Sequence, residues 1–174
     1  MLRLITPWKG GLDDKMMTMK VKDVVFDEGM GSVALLVDQE ESIILPIWIG
    51  VFEAQAIAIG LKGVATPRPM THDLMNNLCQ TLGAEVNKIV VSDIREGTYY
   101  AEIYLQRNKE ELVIDSRPSD AIALALKAGV ELFVTDKVAS QAINVTELDD
   151  DKQGEIKKLM DSLKKPEGEN DMLH

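Results

Sequence analysis

"IDSRPSDAIALALKAG", residues 114–129, carries the end of a strand, a polar corner and an apolar helix within one short stretch. Ile114 and Asp115 close the alternating run "ELVID" (111–115), which reads as a β-strand. Pro118 stands where proline suits the first helical position. Asp120, two residues on, falls where an acid favours unpaired N–H groups and the helix dipole. "AIALALK" then continues as a buried helix.

The same transition occurs earlier in the chain. "PIWIG" leads into "VFEAQAIAIGLKG" (51–63), and its "AIAIGLK" (56–62) matches "AIALALK" (121–127) at five of seven positions. An internal β–α duplication explains the match. So does convergent use of Ala, Ile and Leu in two buried helices.

Outward from these corners, the chain mixes hairpins with helices. "KVKDVVF" and "SVALLVD" flank the turn "DEGMG", and "SIILPIWIG" (42–50) follows as a third strand, with Pro46 marking a bulge or an edge. "THDLMNNLCQTLG" (71–83) reads as a second helix after the proline-fixed loop "VATPRPM". Its Leu74, Leu78, Cys79 and Leu82 recur at helical spacing, so Cys79 is expected to pack in the core. "EVNKIVVSDI" and "GTYYAEIYLQR" read as a hairpin. "ELFVT" and "AINVT" are short strands around a one-turn helix at "DKVASQ". Strict βαβ alternation is absent, so the class is α+β with a largely antiparallel sheet.

The expected boundaries are a loosely ordered leader over 1–18, one domain over 19–146, and an acidic helix with a frayed end over 147–174. In that terminal helix Ile156, Leu159, Met160 and Leu163 form an apolar stripe. Packing on the body is favoured over a partner helix.

Composition narrows the function classes. No apolar run approaches the ~20 residues of a membrane span, and the N-terminus lacks the pattern of a secretory signal, so a cytoplasmic location is expected. One cysteine excludes an intrachain disulfide and a cysteine-built zinc site. The net charge of −10 is carried by the body as well as the tail, with no basic run, which weighs against non-specific nucleic-acid binding. It does not weigh against a metal-dependent nuclease, whose sites are carboxylate-rich. The phosphate-loop, dinucleotide, nucleophile-elbow and zinc-protease motifs are all missing.

The chemistry-bearing residues gather at three helix starts. With Gly50 as N-cap, Glu53 takes the third helical position. With Thr71 as N-cap, His72 and Asp73 take the first two. With Arg117 or Ser116 as N-cap, Asp120 falls in the first turn. Capping alone accounts for these three acids. It does not account for Asp115, Arg68 or Arg117, because a cation beside a helix start is unfavourable unless paired with an anion or a ligand. Arg117 either forms a structural salt bridge with its acidic neighbours or joins the helix N-termini in an anion site suited to phosphate. His72, the one histidine apart from His174, is the side chain whose ordinary pKa suits acid–base work near neutrality.

Together, "LPIWIGVFEAQAIA", "PRPMTHDL" and "IDSRPSDAIALALK" resemble, in order and spacing, the bifunctional nuclease family of bacteria and plants. The resemblance covers about residues 19–146. It implies a compact α+β domain with a barrel-like antiparallel sheet, self-association into a homo-oligomer, and cleavage of DNA and RNA. Carried over by motif, the candidate positions are Glu53, Arg68, His72, Asp73, Asp115, Ser116, Arg117 and Asp120.

Two functions fit these residues. In the first, a nuclease-type phosphodiesterase, Asp115 and Asp120 with Glu53 or Asp73 hold a Mg²⁺ or Mn²⁺ ion, to which oxygen ligands are suited. Arg68 and Arg117, with Ser116, bind the phosphate, and His72 or a metal-bound water supplies the base. The second is a non-enzymatic oligomeric scaffold or regulator that binds a small anion or a partner protein, favoured by the acidic surface.

Overall fold

The computed structural model describes residues 16–27, 31–154 and 156. Eight strands lie in one sheet: β1 (Met16–Asp27), β2 (Gly31–Val37), β3 (Ile43–Ile49), β4 (Glu85–Arg95), β5 (Thr98–Arg107), β6 (Glu110–Ser116), β7 (Glu131–Thr135) and β8 (Ile143–Asn144). Their order is β6-β5-β4-β7-β1-β2-β3-β8, and every neighbouring pair is antiparallel except β4–β7. The helices are α1 (Val51–Leu61), α2 (Thr71–Thr81), α3 (Pro118–Ala128) and the single turn α4 (Asp136–Ala139). The α+β class with a mostly antiparallel sheet is therefore as the sequence predicts.

The sheet does not close into a barrel. Closure would require its two edges to pair, but among the described residues β6 pairs only with β5, and β8 reaches β3 through two residues. Strand β1 joins the halves. Met16–Met19 pair with β7, Lys20–Asp27 pair with β2, and the register slips between Val21 and Asp23. Such a slip bends the strand and lets it serve both halves. Met16–Thr18 are thus part of the sheet, and the expected leader gives them up; residues 1–15 lie outside the described ones.

Each half is a three-strand meander followed by an 11-residue helix, β1-β2-β3-α1 and β4-β5-β6-α3. The order of elements recurs, but this does not show an internal duplication. The matched heptapeptides do not hold equivalent places: 56–62 begins at the sixth residue of α1 and 121–127 at the fourth of α3, although the two helices pack on one another. One of their mismatches has a steric reason: a Cβ at Gly60 would stand 3.1 Å from Leu126 Cβ, so α1 needs glycine where α3 has Ala125. The core is built from Ala54 and Ile57 of α1, nearly all of α3 from Ala121 to Ala125, and Ile89, Val91, Ala101 and Ile103 of the central strands. α3 ends at Gly129, whose left-handed backbone (φ 69°) lets Gly129 and Val130 both donate to the Ala125 carbonyl.

Helix α2 turns a different face inward from the one its leucines suggest. His72 is buried, and Met75 and Cys79 pack against the core, so Cys79 is half-buried as expected. Leu74, Leu78 and Leu82, a quarter-turn away at about 100° per residue, are each more than half exposed. Polar contacts of His72 and Asp73 with α3, described below, set that rotation. On the opposite face of the sheet, Leu35, Val37 and Ile44 form a second cluster with Val145 and Ile156. Residues 150–154 and 156 are helical, and Ile156 packs on the body; Leu159, Met160 and Leu163 lie outside the described residues. Among the described residues no helix is long and apolar enough to cross a membrane.

Candidate functional site

Two strand-to-helix corners and one loop bring the helix starts together. Gly50 caps α1 and Arg117 caps α3 in extended backbone, each without a side-chain hydrogen bond to the helix, and Pro118 occupies the first position of α3. Glu53 and Asp120 therefore both hold the third helical position, as the capping pattern predicts. For α2 the cap is Met70, one residue before the expected Thr71. Its N–H donates to Asp73 Oδ2 at 3.0 Å, which makes Asp73 the third helical residue.

Because α1 and α3 pack side by side, Arg117 spans both. Its Nη1 donates to Glu53 Oε1 at 2.8 Å, its Nε to Asp120 Oδ2 at 2.7 Å and its Nη2 to Asp120 Oδ1 at 3.1 Å. Glu53 sits folded back over its own helix start, and any Cβ at residue 50 would collide with its carboxylate. From α2, His72 Nε2 approaches Asp120 Oδ1 at 3.4 Å, a loose hydrogen bond. Beside this chain, Lys127 Nζ contacts Asp73 Oδ1 at 3.0 Å. Three carboxylates thus face two permanent cations, and a protonated His72 would bring the group to balance.

The electrostatics follow from these contacts. Burial alone would raise the Asp120 carboxyl, but the hydrogen bond and charge of Arg117, assisted by His72, hold it below the ordinary carboxylate value. Lys127 first, and then the Met70 N–H, lower Asp73. Asp120 and then Glu53 raise the Arg117 guanidinium. Of the five N–H donors of a guanidinium, three are engaged, and the side chain is largely exposed, so two remain available to an anion.

Two clefts adjoin along the Glu53–Arg117 bridge. One, of about 340 Å³, is lined by Trp48, Ile49, Tyr99 and Ser119 among others. The other, of about 320 Å³, is lined by Phe52, Ile59, Met70, His72, Asp120 and Lys127.

Not every candidate residue joins them. Asp115 stands opposite Glu102 in the β5–β6 register, on the sheet face away from the helices, where its charge acts on Arg95. Arg95 and Lys137 in turn both engage Asp93 there. Ser116 lies on the helix side but spends its hydroxyl on the Arg117 carbonyl. Arg68 is exposed in the α1–α2 loop with no ion pair among the described residues and lines neither cleft. The expected metal set Asp115, Asp120 and Glu53 is not assembled within one chain. Both Asp120 oxygens are engaged by Arg117, and among the described residues no group of three or more His, Cys, Asp or Glu is arranged to hold an ion.

The residues missed by sequence reasoning are Ser119, Lys127 and the aromatics Trp48, Phe52 and Tyr99. Lys127 was accessible to it, since seven residues after Asp120 is two turns along the same helix face.

The fold and the site define an α+β domain whose polar centre lies where three helices begin. The family model of the bifunctional nuclease domain matches residues 34–147, well over half of the chain, and takes in the whole bridge. The chain belongs to the bifunctional nuclease domain family. An uncharacterized protein of Mycobacterium tuberculosis (strain H37Rv) is 45% identical over 98 residues, covering 56% of this chain and 58% of that protein. Bifunctional nuclease 1 of Oryza sativa subsp. japonica is 24% identical, and bifunctional nuclease 2 of Arabidopsis thaliana 26%. Each match runs over 111 residues, covering 62% of this chain but only 34% of the plant protein.

Proposed function

We propose that the protein is a phosphodiesterase of the nuclease type, acting where α1, α2 and α3 begin. The observation that carries this reading is the connected chain Glu53–Arg117–Asp120–His72, drawn from three helices and opening on two clefts. With His72 Nε2–H donated to Asp120, Nδ1 is left as the proton acceptor for an attacking water. Asp120 fixes the tautomer and holds a positive charge on the ring once the proton has moved. Arg117, kept in place by two carboxylates, offers its remaining N–H groups to the phosphate as negative charge builds on it. The uncapped N-termini of α1 and α3 add to that field. Family membership and the names of the plant relatives support the same reaction class.

A Mg²⁺ or Mn²⁺ ion would be recruited by Glu53 and Asp120 only if Arg117 released one of them. Nuclease assays on single-stranded DNA, RNA and duplex, with and without chelator, test both points. The expected result is cleavage by the wild-type chain that falls at least roughly 100-fold in His72→Ala and Asp120→Asn, with folding intact by circular dichroism. Cleavage unchanged in both variants would overturn the reading.

A second reading, an oligomeric scaffold, draws on the exposed Leu74, Leu78 and Leu82 of α2, which give self-association an apolar surface. It predicts a defined assembly without catalysis. Self-association and nuclease activity are compatible, so assembly alone does not decide between them.

A further inference from the structure

Building on the phosphodiesterase reading, we propose that the two clefts receive adjacent bases of a single-stranded nucleic acid, one on each side of the Glu53–Arg117 bridge, with the linking phosphate on Arg117. Each cleft has an aromatic wall beside a charged floor. Trp48, 57% exposed, and the half-buried Tyr99 line the first; Phe52, 84% exposed, lines the second. Both volumes fall in the ~300–1,000 Å³ range of small-ligand sites. An aromatic side chain left in water beside a cleft is a stacking platform for any base.

The polar atoms are placed for what lies between two bases. The two free N–H donors of Arg117 lie at the shared wall, where a phosphodiester must pass if its bases part to either side. Ser119 lines the first cleft, is only 6% exposed, and its hydroxyl has no hydrogen-bond partner among the described residues. The Ser119 oxygen reaches the water of the cleft, since Ser32 Oγ alone among the described side chains is both buried and unpartnered, so the Ser119 hydroxyl is free to bond a ligand there. A sugar hydroxyl or phosphate oxygen would supply its partner.

The same arrangement excludes the duplex. Paired bases cannot part around the bridge, and a chain of net charge −10 with no basic run has nothing to follow a second phosphate backbone. Few phosphates are engaged, so affinity depends weakly on salt, with a slope of roughly −0.7 per phosphate held.

The test uses the full chain carrying Trp8→Phe, which leaves Trp48 as its one tryptophan. The probe is a dinucleoside monophosphate with a phosphorothioate linkage, compared with inorganic phosphate, the abasic dinucleotide and a duplex. The expected result is quenching of Trp48 fluorescence by the dinucleotide alone. In calorimetry, Trp48→Ala and Phe52→Ala should each weaken its binding at least roughly fivefold. Equal affinity for the abasic probe or the duplex, or full affinity in both variants, would overturn the proposal. Cleavage assays separate it from the reading beneath it. Base-dependent binding without cleavage of the unmodified dinucleotide removes the phosphodiesterase and leaves the base clefts standing. His72-dependent cleavage of duplex and single strand alike does the reverse.

Discussion

His72 Nε2 on α2 and Asp120 Oδ1 on α3 stand 3.4 Å apart although 48 residues separate them in the chain. The contact is loose, as catalytic hydrogen bonds often are before substrate arrives. It is also the point at which α2 is tied to the two-helix bridge. Its disruption is expected to lower turnover more than stability. In steady-state kinetics, Asp120→Asn and His72→Ala should reduce kcat together, with melting temperatures within a few degrees of wild type.

The Asp120 carboxyl titrates lower in the folded chain than in the unfolded one, because Arg117 outweighs the effect of burial. It therefore contributes stability above its unfolded pKa, near 4 for aspartate, and that contribution disappears as pH falls through the folded value. Arg117 is largely solvent-exposed, so the effect is small, within about 1 kcal/mol. Thermal melts between pH 2.5 and 6 should show wild type and Asp120→Asn separated at the upper end and converging at the lower.

Arg117→Lys keeps the charge but cannot serve Asp120 through two nitrogens while reaching Glu53 and an anion. Its kcat is expected to fall roughly 100-fold, with a far smaller change in melting temperature. A variant with wild-type kcat would show that charge alone suffices at this position.

Gly60→Ala tests how closely the two helices approach. Alanine favours helix by about 1 kcal/mol over glycine, yet its Cβ would press on Leu126 Cβ at 3.1 Å. Overpacking of this kind costs roughly 1–3 kcal/mol, so denaturant melts should show net destabilisation. Increased stability would mean that α1 and α3 have room to part.

Leu74→Gln and Leu78→Gln alter side chains that lie in solvent within one chain. The monomer should keep its stability to within about 0.5 kcal/mol. Light scattering should show a smaller assembly if α2 is the surface through which copies meet, and an unchanged mass if it is not.

How much of this could be read in advance depended on the range of the interaction. The corner at Arg117, Pro118 and Asp120 follows from local capping chemistry, and so does the Gly50–Glu53 pair. Asp115 was misplaced because capping says nothing about sheet faces. Its side depends on the register against β5, which puts it with Glu102. The exposure of Leu74, Leu78 and Leu82 is not legible in the sequence, because periodicity locates a stripe but not what lies against it. The rotation of α2 is decided by His72 and Asp73 meeting residues of α3 about fifty positions later. The open sheet was equally non-local, since the brevity of β8 shows only in its pairing. Three motifs in fixed order carried the family where single residues did not.

Strand β1 pairs with β2 of its own meander and with β7, and β7 in turn pairs with β4, so among the described strands the first meander reaches the second only through β7. Glu53 belongs to the first half and Arg117 to the second. Their ion pair at 2.8 Å, together with the packing of α1 on α3, ties the two halves across the helix layer. The two residues that close the gap between the halves are thus the same two that both clefts share, so the join of the fold and the wall of the clefts are one feature.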